Sequence, residues 1–560
     1  MRVRPALSLI IGLSLLAEGF LTQGAVAQTQ DAGSIEVLFT YGSEKQKWIE
    51  AVTQRFNLAG YTTGGRQVIR VKAVPLGSGE IIDELLTDRR HPHLISPAAG
   101  AFIEIGNAAA RERNELELVG ETQELVSSPV VIAMWRDMAE AIGWPNRRIR
   151  WHDFFDYARD PVKWQAVARP EWGAFKYGHT HPRLSNSGLH ALFVEAYAAA
   201  NKFERLTRVD VKDRPEVNRY IRQVESSVVH YGESTGFFAK KMIAMGPSYL
   251  SAAILYENLV IDANRVSAAA NEPPKLVAIY PAEGTFPSEH PVGVVQRPWV
   301  TPRHAEAASI YIKYLLSSPQ QVEAKRYGFR PGAKDISVDD LLTPALGVDP
   351  HQPKRILRPP QASTIQELLK IWSQNKRKAD IVLAIDTSAS MKEANKIIDA
   401  ERAAREFVSM LSPEDTLSTM VFGGSSDWLV QDLLMDEQGK KAATDSISDL
   451  IPSGDTALYQ TISDAYSFLA KRDPNRTRAL VLLSDGKDSK KKLTKGDVLR
   501  RIAGVAKDQT IFIFTIGYGK DADPATLSEI SRASQAEYFS AAQGDSAAIH
   551  KVFVQIATLF

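Results

Sequence analysis

The chain has 560 residues, of which 44% are hydrophobic and 24% charged, and it contains no cysteine. Its 67 basic and 66 acidic residues leave a formal net charge of +1, so there is no overall positive field, and we expect no nucleic-acid partner. The lack of cysteine excludes disulfides, lipid attachment to an N-terminal cysteine and thiol mechanisms. A chain of this length and composition predicts two or three globular domains.

Residues 1–27 have the pattern of a signal peptide. Arg2 and Arg4 precede the apolar run Ala6–Ala17, and a small-x-small cleavage pattern ends at Ala27. The run is shorter than the ~20 residues of a membrane-spanning helix. We expect cleavage after Ala27, no transmembrane segment after cleavage, and a periplasmic, secreted or cell-envelope location. An uncleaved anchor is the alternative.

Residues 31–343 alternate short apolar runs with amphipathic stretches, which is typical of an α/β fold. The predicted elements are strands at Ser34–Thr40, Pro129–Trp135 and Ser226–His230, and helices at Glu44–Phe56 and Ala305–Leu316. Five prolines between positions 344 and 360 predict a stiff linker over residues 344–363.

Residues 364–560 again alternate strands and helices. The predicted elements are helices at Thr364–Asn375, Asn395–Leu411, Tyr459–Ala470 and Ser546–Leu559, and strands ending at Ile385, Phe422, Asp485 and Ile516. The buried-strand patterns predict a parallel sheet, and ligands of such sheets collect at the carboxyl ends of the strands.

Polar residues stand at three of these predicted strand ends or helix starts: Asp386, Ser388 and Ser390; Thr456; and Asp485. All five offer oxygen atoms, and no histidine stands near them in the sequence. Oxygen donors suit a hard cation with about six ligands, which favours Mg²⁺ (or Mn²⁺) over Zn²⁺. For the Asp386–Ser390 loop taken alone, helix capping is the other interpretation.

These three segments, in this order, resemble a von Willebrand factor type A (VWA) domain with a metal-ion-dependent adhesion site, over residues 378–560. The resemblance implies a doubly wound, Rossmann-like domain with a central, mostly parallel sheet. It also implies that Ser388 and Ser390 bind the metal through their hydroxyls, with Asp386 nearby. Thr456 would be the threonine of the second loop, and Asp485 the aspartate of the third, often acting through water.

Several segments of the first block resemble a type II periplasmic (extracellular) solute-binding protein, including Leu38–Lys45, Ser127–Ala133, Lys176–Gly188, Tyr231–Phe237 and Pro291–Val295. The resemblance implies two lobes, about 31–126 plus 292–343 and 127–291, with a ligand cleft between them. Loop serines beside glycine or proline suit a small anionic solute at helix N-termini, although each could simply cap its helix. The candidate cleft residues are Ser43, Ser78, Ser128, Ser185, Ser187 and Glu233.

Two further motifs each have two interpretations. Gly232–Gly236 fits the G-x-S-x-G nucleophile pattern, with Ser234 as nucleophile and Asp262 and His290 downstream, but no oxyanion-loop motif accompanies it. His179 and His181 could be two metal ligands, but without a third ligand in view a polar cleft wall is the favoured interpretation.

The sequence therefore predicts an exported, non-enzymatic binding protein. Its C-terminal metal site would bind an Asp or Glu carboxylate of a partner protein, and its N-terminal cleft a small solute or anion. The first alternative is the solute receptor of an ABC importer with an accessory VWA domain, and the second is a serine hydrolase using Ser234.

Overall fold

A computed structural model describes residues 33–228, 231–333, 335–338, 342–490, 493–504, 510–542 and 546–560. The signal-peptide prediction, residues 1–27, lies outside the described residues. None of the helices within the described residues combines the length and the apolar character that crossing a membrane requires.

The strands are β1 (Ser34–Gly42), β2 (Val68–Leu76), β3 (Leu94–Ser96), β4 (Gln123–Glu124), β5 (Val126–Ser127), β6 (Val130–Trp135), β7 (Tyr177–Gly178), β8 (Ala252–Tyr256), β9 (Leu276–Ile279), β10 (Pro291–Val294), β11 (Arg330–Pro331), β12 (Ala379–Asp386), β13 (Thr416–Phe422), β14 (Ser426–Leu434), β15 (Thr477–Ser484), β16 (Ile511–Tyr518) and β17 (Tyr538–Ala541).

The α-helices are α1 (Gln46–Ala59), α2 (Ser78–Leu86), α3 (Gly100–Glu112), α4 (Arg136–Ala141), α5 (Trp151–Arg159), α6 (Pro161–Gln165), α7 (Asn186–Ala200), α8 (Pro215–Glu225), α9 (Thr235–Met245), α10 (Glu257–Ala269), α11 (Pro302–Leu315), α12 (Ser318–Arg326), α13 (Ala362–Asn375), α14 (Lys396–Met410), α15 (Glu437–Ser446), α16 (Leu458–Leu469), α17 (Lys495–Ala503), α18 (Pro524–Ala533) and α19 (Ser546–Ala557).

The N-terminal domain has two lobes, each built on its own sheet. The first lobe has the strand order β2-β1-β3-β10-β4, in which β1 is parallel to β2 and β3 while β10 is antiparallel to β3 and β4. The second lobe has the order β7-β8-β6-β9. The chain leaves the first sheet after β4 and returns to it at β10, so β10 closes a domain whose second lobe is inserted between them.

The C-terminal domain is a six-stranded sheet in the order β14-β13-β12-β15-β16-β17, parallel except for the edge strand β14. Alternate side chains of β12 point to opposite faces, as the period of two requires. Ile381, Leu383 and Ile385 pack with α14 and α19, whereas Val382 and Ala384 pack with α16, α17 and α18. Helices on both faces bury the sheet, which explains its continuous apolar strands.

The proline-rich segment before α13 packs against the second lobe. The Thr285 N–H donates to Arg355 O at 3.1 Å, and the Leu357 N–H donates to Thr285 O at 2.8 Å. Leu368 and Trp372 of α13 are buried in the core that contains the second lobe. Apolar residues of the proline-rich segment and of α13 are thus buried against the N-terminal domain. The boundaries at 344–363 and 364–560 remain a prediction.

Most long elements lie where the sequence predicted them, with ends shifted by a few residues. The predicted strand at Ser226–His230 is wrong at its start, because the Ser226 N–H donates to Arg222 O and continues the last turn of α8. Val228 forms an isolated bridge with Tyr177, and residues 229 and 230 lie outside the described part of the chain.

Candidate functional site

Three loops meet at the carboxyl edge of the C-terminal sheet. Strands β12 and β15 are adjacent and parallel, so Asp386 and Asp485 leave the sheet on the same side. The loop before α16 is joined to the first loop by two backbone hydrogen bonds, from Ser453 N to Thr387 O at 2.7 Å and from Ala389 N to Gly454 O at 3.1 Å. We call the five predicted residues on these loops the loop cluster: Asp386, Ser388, Ser390, Thr456 and Asp485.

Asp386 is fully buried, and two groups hold its carboxylate. The Ser388 N–H donates to Oδ1 at 2.8 Å, and the Ser484 hydroxyl donates to Oδ2 at 2.6 Å. Burial raises the pKa of Asp386 to about 6, and the charge of Asp485 adds to this rise, while the bonds from Ser484 and Ser388 oppose it. Asp386 is therefore an anion held in an environment that penalises its charge.

Asp485 connects the first loop to the third. The Ser390 hydroxyl donates to Asp485 Oδ1 at 2.8 Å, and the Ser388 and Ser390 Oγ atoms lie 3.1 Å apart. Through these bonds and the Ser388 N–H, four of the five predicted residues form one hydrogen-bonded network.

Thr456 lies next to that network. The Thr456 N–H donates to Ser489 Oγ at 2.8 Å, and the Ser489 N–H donates to Thr456 O at 2.9 Å. A Cβ placed on Gly486, the residue after Asp485, would lie 3.6 Å from Thr456 Oγ1. The second loop thus presents its threonine hydroxyl beside the Asp485 loop.

Lys396 was missed at the sequence level. Its Nζ donates to Asp485 Oδ2 at 2.7 Å, and both side chains are fully buried. The sequence did contain an indication of this contact. A lysine in the first turn of a helix lies at the positive end of the helix dipole, so a nearby anion stabilises it. Lys396 starts α14, five residues after the motif that contains Ser390 ends at Met391.

The predicted cleft serines are all buried, with at most 3% of each exposed, and they bind protein groups rather than facing a shared open space. Ser43 bridges the lobes, because its hydroxyl donates to Ser234 Oγ at 2.8 Å and accepts from Gly236 N at 3.0 Å. A second interlobe bond runs from Gly79 N to Leu184 O at 2.7 Å. The two lobes are therefore in direct contact.

Ser185 and Ser187 belong to a hydroxyl chain within the second lobe. Thr235 Oγ1 lies 3.0 Å from Ser185 Oγ and 2.9 Å from Ser187 Oγ, and Thr180 Oγ1 lies 2.8 Å from Ser187 Oγ. The structure thus gathers Ser43, Ser185 and Ser187 around the start of α9, which begins at Thr235.

The other three candidates lie elsewhere. Ser78 Oγ accepts from Ala98 N at 2.9 Å, and Ser128 exchanges two hydrogen bonds of 3.0 Å with Asn258. Glu233 is half-buried, and its carbonyl oxygen would lie 3.0 Å from a Cβ placed on Gly77 of the first lobe. Ser78, Ser128 and Glu233 thus lie at loops and lobe contacts, and the structure does not bring them together with Ser43.

A buried ion pair was also missed at the sequence level. Lys45 Nζ lies 2.8 Å from Glu44 Oε1 and 3.0 Å from His290 Nδ1. Although burial raises the pKa of Glu44, the charge of Lys45 and the contact with His290 lower it to about 2. Burial, and then the charge of Lys45, lower the pKa of His290 to about 4, so His290 is neutral at pH 7.

The hydrolase residues each have a different partner. Ser234 Oγ accepts from Ser43, the Asp262 carboxylate pairs with Lys47 at 2.8 Å, and His290 contacts Lys45 and Glu44. A catalytic triad needs the nucleophile and base within hydrogen-bond reach of each other. The structure gives no such bond among these three residues.

Together, the two-lobed N-terminal domain and the sheet with its loop cluster define a two-domain protein of binding and adhesion types. Family models match both parts: a bacterial extracellular solute-binding protein at residues 37–330, and a von Willebrand factor type A domain at residues 380–555. The chain therefore belongs to the bacterial extracellular solute-binding protein family and carries a VWA domain in its C-terminal third. The extracellular family is consistent with an exported protein.

Curated relatives match part of the chain. A UPF0353 protein of Mycobacterium ulcerans (strain Agy99) is 31% identical over 156 residues, which are 26% of this chain and 45% of that protein. A UPF0353 protein of Mycolicibacterium gilvum (strain PYR-GCK) is 28% identical over 193 residues, 31% of this chain and 57% of that protein. The chain thus spans about half the length of the curated relatives it matches.

Solved structures resemble each domain. A periplasmic thiamin binding protein has a TM-score of 0.43 and 10% identity, covering 61% of this chain and 96% of its own. A von Willebrand factor type A protein from Catenulispora acidiphila has a TM-score of 0.30 and 22% identity, covering 33% of this chain and 42% of its own.

Proposed function

We propose that the protein is an exported, non-enzymatic binding protein whose loop cluster holds Mg²⁺ (or Mn²⁺) and binds a partner protein through an Asp or Glu carboxylate of that partner. The observation that most supports this proposal is the network joining Asp386, Ser388, Ser390 and Asp485 at the carboxyl edge of the sheet.

The residues present fit a hard cation. The loop cluster offers carboxylate and hydroxyl oxygens, which Mg²⁺ and Mn²⁺ prefer over the nitrogen and sulfur ligands typical of zinc. The raised pKa of Asp386, caused by burial and by Asp485, marks a carboxylate that a nearby cation would stabilise. When bound, the cation supplies an open coordination position that a carboxylate from another protein can fill.

The chain's own residues position the oxygens for this contact. The Ser388 N–H and the Ser484 hydroxyl fix both oxygens of Asp386. The Ser390 hydroxyl and the Lys396 ammonium fix the two oxygens of Asp485. Because every carboxylate oxygen is already oriented, little side-chain entropy remains to be lost when the partner binds.

We propose in addition that the N-terminal cleft binds a small solute or anion. The family match supports a solute site, and the Ser43, Ser185 and Ser187 hydroxyls gathered around the start of α9 offer donors for an anion. A solute at this point has to replace the Ser43–Ser234 contact, so binding requires the lobes to part.

The second candidate function is that of a solute receptor for an ABC importer, with the VWA domain as an accessory. It is favoured by the same family match, which covers residues 37–330. The two candidate functions differ in which domain makes the essential contact with a protein partner. A variant that lacks the loop-cluster side chains therefore distinguishes them.

The test is a capture experiment from an envelope extract with immobilised chain from Gln28 onward, in Mg²⁺ and in EDTA. The Ser388→Ala/Ser390→Ala double variant removes two hydroxyls of the loop cluster. The matched control is Ser425→Ala, which removes an exposed hydroxyl that bonds Asp427 on a loop of the same domain.

We expect partners that bind the unaltered chain and the control in Mg²⁺ but are absent with EDTA and with the double variant. If all four samples capture the same proteins, the loop cluster is not the contact, and the importer-receptor function becomes the better account. Hydrolysis of simple esters that disappears in Ser234→Ala would instead establish the hydrolase.

A further inference from the structure

A second group of potential metal ligands lies inside the second lobe, far in sequence from the loop cluster. His179 follows β7, Glu195 lies on α7, and Glu225 is the last residue of α8. All three side chains are fully buried. One ligand atom from each lies within 4.8 Å of the ligand atoms of the others.

The distances fit a single cation. His179 Nε2 lies 3.2 Å from Glu225 Oε1 and 4.0 Å from Glu195 Oε1. Two ligands that each lie about 2.0–2.2 Å from one zinc ion are separated from each other by roughly 3–4 Å, depending on the angle between them. Both histidine–carboxylate distances thus lie in the range of a metal-ligand set, and the ligand atoms of the two glutamates lie within 4.8 Å of each other.

The surrounding groups orient these ligands. His179 Nδ1 lies 2.8 Å from the Thr180 carbonyl oxygen, which can only accept, so Nδ1 carries a proton, and Nε2 is the ring nitrogen that faces the two carboxylates. The Tyr177 hydroxyl donates to Glu195 Oε1 at 3.1 Å, and the Tyr231 hydroxyl donates to Glu225 Oε2 at 2.6 Å. Such outer hydrogen bonds are typical of protein metal sites.

Glu195 Oε2 supplies an independent observation, since this buried oxygen has no hydrogen-bond partner in the described residues. Within the described part of the chain, neither Glu195 nor Glu225 forms a salt bridge with a lysine or arginine. Burial, and then the charge of Glu225, raise the pKa of Glu195 well above its ordinary value. The pair therefore needs either a proton or a cation.

We propose that His179, Glu195 and Glu225 form a buried binding site for a divalent transition-metal cation, with Zn²⁺ as the best-fitting ion. One imidazole nitrogen and two carboxylates are ligands that zinc accepts, and the set joins β7, α7 and α8 into one unit. The bound cation balances the charge of the two carboxylates.

His181 does not belong to this site. Its ring lies edge-on to Trp372, with a centroid distance of 4.8 Å, and burial lowers its pKa well below the ordinary value. The two histidines therefore have different environments, because His179 faces the two glutamates and His181 packs against α13. The second and third ligands, Glu195 and Glu225, lie 16 and 46 positions after His179, and sequence spacing alone could not connect them with it.

The test measures zinc bound per chain after the chain has been stripped with a chelator, reloaded with Zn²⁺ and dialysed in the presence of Mg²⁺. All measurements use the Ser388→Ala/Ser390→Ala background, which removes the loop cluster as a source of zinc. Glu195→Gln and His179→Gln test the site, and His181→Gln is the matched control for a buried histidine substitution.

We expect the background chain and the His181→Gln control to retain zinc and to gain thermal stability from it, and both site variants to lose the zinc. Glu195→Gln keeps the size and hydrogen bonding of a protonated glutamate, so it folds whether the pair is held by a proton or by a metal. Zinc absent from the background chain, or retained equally by Glu195→Gln, would overturn the proposal and leave a proton shared by the two glutamates.

Discussion

The loop cluster of the C-terminal domain and the cleft of the N-terminal domain are both buried and polar, but they differ in charge balance. At the loop cluster, two carboxylates, Asp386 and Asp485, are accompanied by one ammonium, Lys396. In the cleft, one carboxylate, Glu44, is matched by one ammonium, Lys45, beside a neutral His290. Excess negative charge favours a cation, whereas a matched pair is already satisfied by the protein.

The proposed metal site thus differs from the cleft in its unbalanced buried charge and not in its hydroxyl groups. The cleft serines and the loop serines are alike in residue type, yet the former bond to one another and to backbone, while the latter bond to carboxylates. The His179–Glu195–Glu225 group likewise holds two carboxyl groups without a salt bridge to a lysine or arginine of the described residues.

Lys396→Met should produce the largest effect. Breaking a buried ion pair by removing one partner costs about 3–5 kcal/mol, so without metal the free energy of unfolding of the C-terminal domain should fall by about that amount. Mg²⁺ should restore part of the loss, because it compensates the buried charge of Asp485 that the substitution leaves unpaired. Urea unfolding in EDTA and in Mg²⁺ measures both.

The control for this experiment is Lys392→Met, an exposed lysine of the same loop region. It should change stability by less than about 0.5 kcal/mol, as surface substitutions usually do. If Lys396→Met is as stable as the control in EDTA, the ion pair does not balance the loop cluster.

His290→Asn tests the charge balance of the cleft through pH. The folded-state pKa of His290 is about 4, below its ordinary value of 6.5, so its contribution to stability is present above pH 6.5 and is lost as the pH falls towards 4. The difference in unfolding free energy between the unaltered chain and the variant should shrink by up to about 3 kcal/mol over that window.

Asparagine is the suitable replacement, because residue 290 has φ of 40°, a conformation that asparagine tolerates better than most residues. Denaturant unfolding at a series of pH values from 7 to 4 provides the measurement. A difference that stays constant with pH would mean that His290 is not held neutral beside Lys45.

Ser43→Ala has a smaller expected effect on stability. It removes the acceptor of the Gly236 N–H and the donor to Ser234, and an unsatisfied buried polar group costs about 1–3 kcal/mol. The Ser43→Ala/Ser187→Ala double variant should therefore lose anion binding and also melt at a lower temperature, which calorimetric melting measures.

Glu537→Gln should have the smallest effect. Glu537 Oε2 lies 3.2 Å from Lys241 Nζ, which places an ion pair between the C-terminal domain and α9. Glu537 is half exposed, so the pair is worth at most about 1 kcal/mol and weakens with salt. A melting-temperature shift at low salt that disappears at high salt is expected, and a large salt-independent shift would show a stronger interdomain contact.

The loop cluster could be predicted from sequence because each of its residues stands directly at a strand end or helix start. Once β12 and β15 are neighbours in a parallel sheet, Asp386 and Asp485 must meet at one edge. The contact of Lys396 with the loop cluster was not predicted, because its partner, Asp485, is 89 residues away and a helical lysine usually lies in solvent.

The cleft was less predictable, because its contacts depend on how two lobes meet. Ser43 and Ser234 are 191 residues apart, and nothing local to either serine indicates the other. The packing of α13 on the second lobe was missed for a related reason, since an amphipathic helix shows which face is buried but not which domain buries it.

The most direct test of the proposed metal site is a calorimetric titration of Mg²⁺ into the chelator-treated chain and into its Ser388→Ala/Ser390→Ala and Ser425→Ala variants. If the loop cluster holds Mg²⁺, the unaltered chain and Ser425→Ala bind it saturably, and the double variant loses that binding. Equal binding by all three chains, or none by any, would contradict a metal site at the loop cluster.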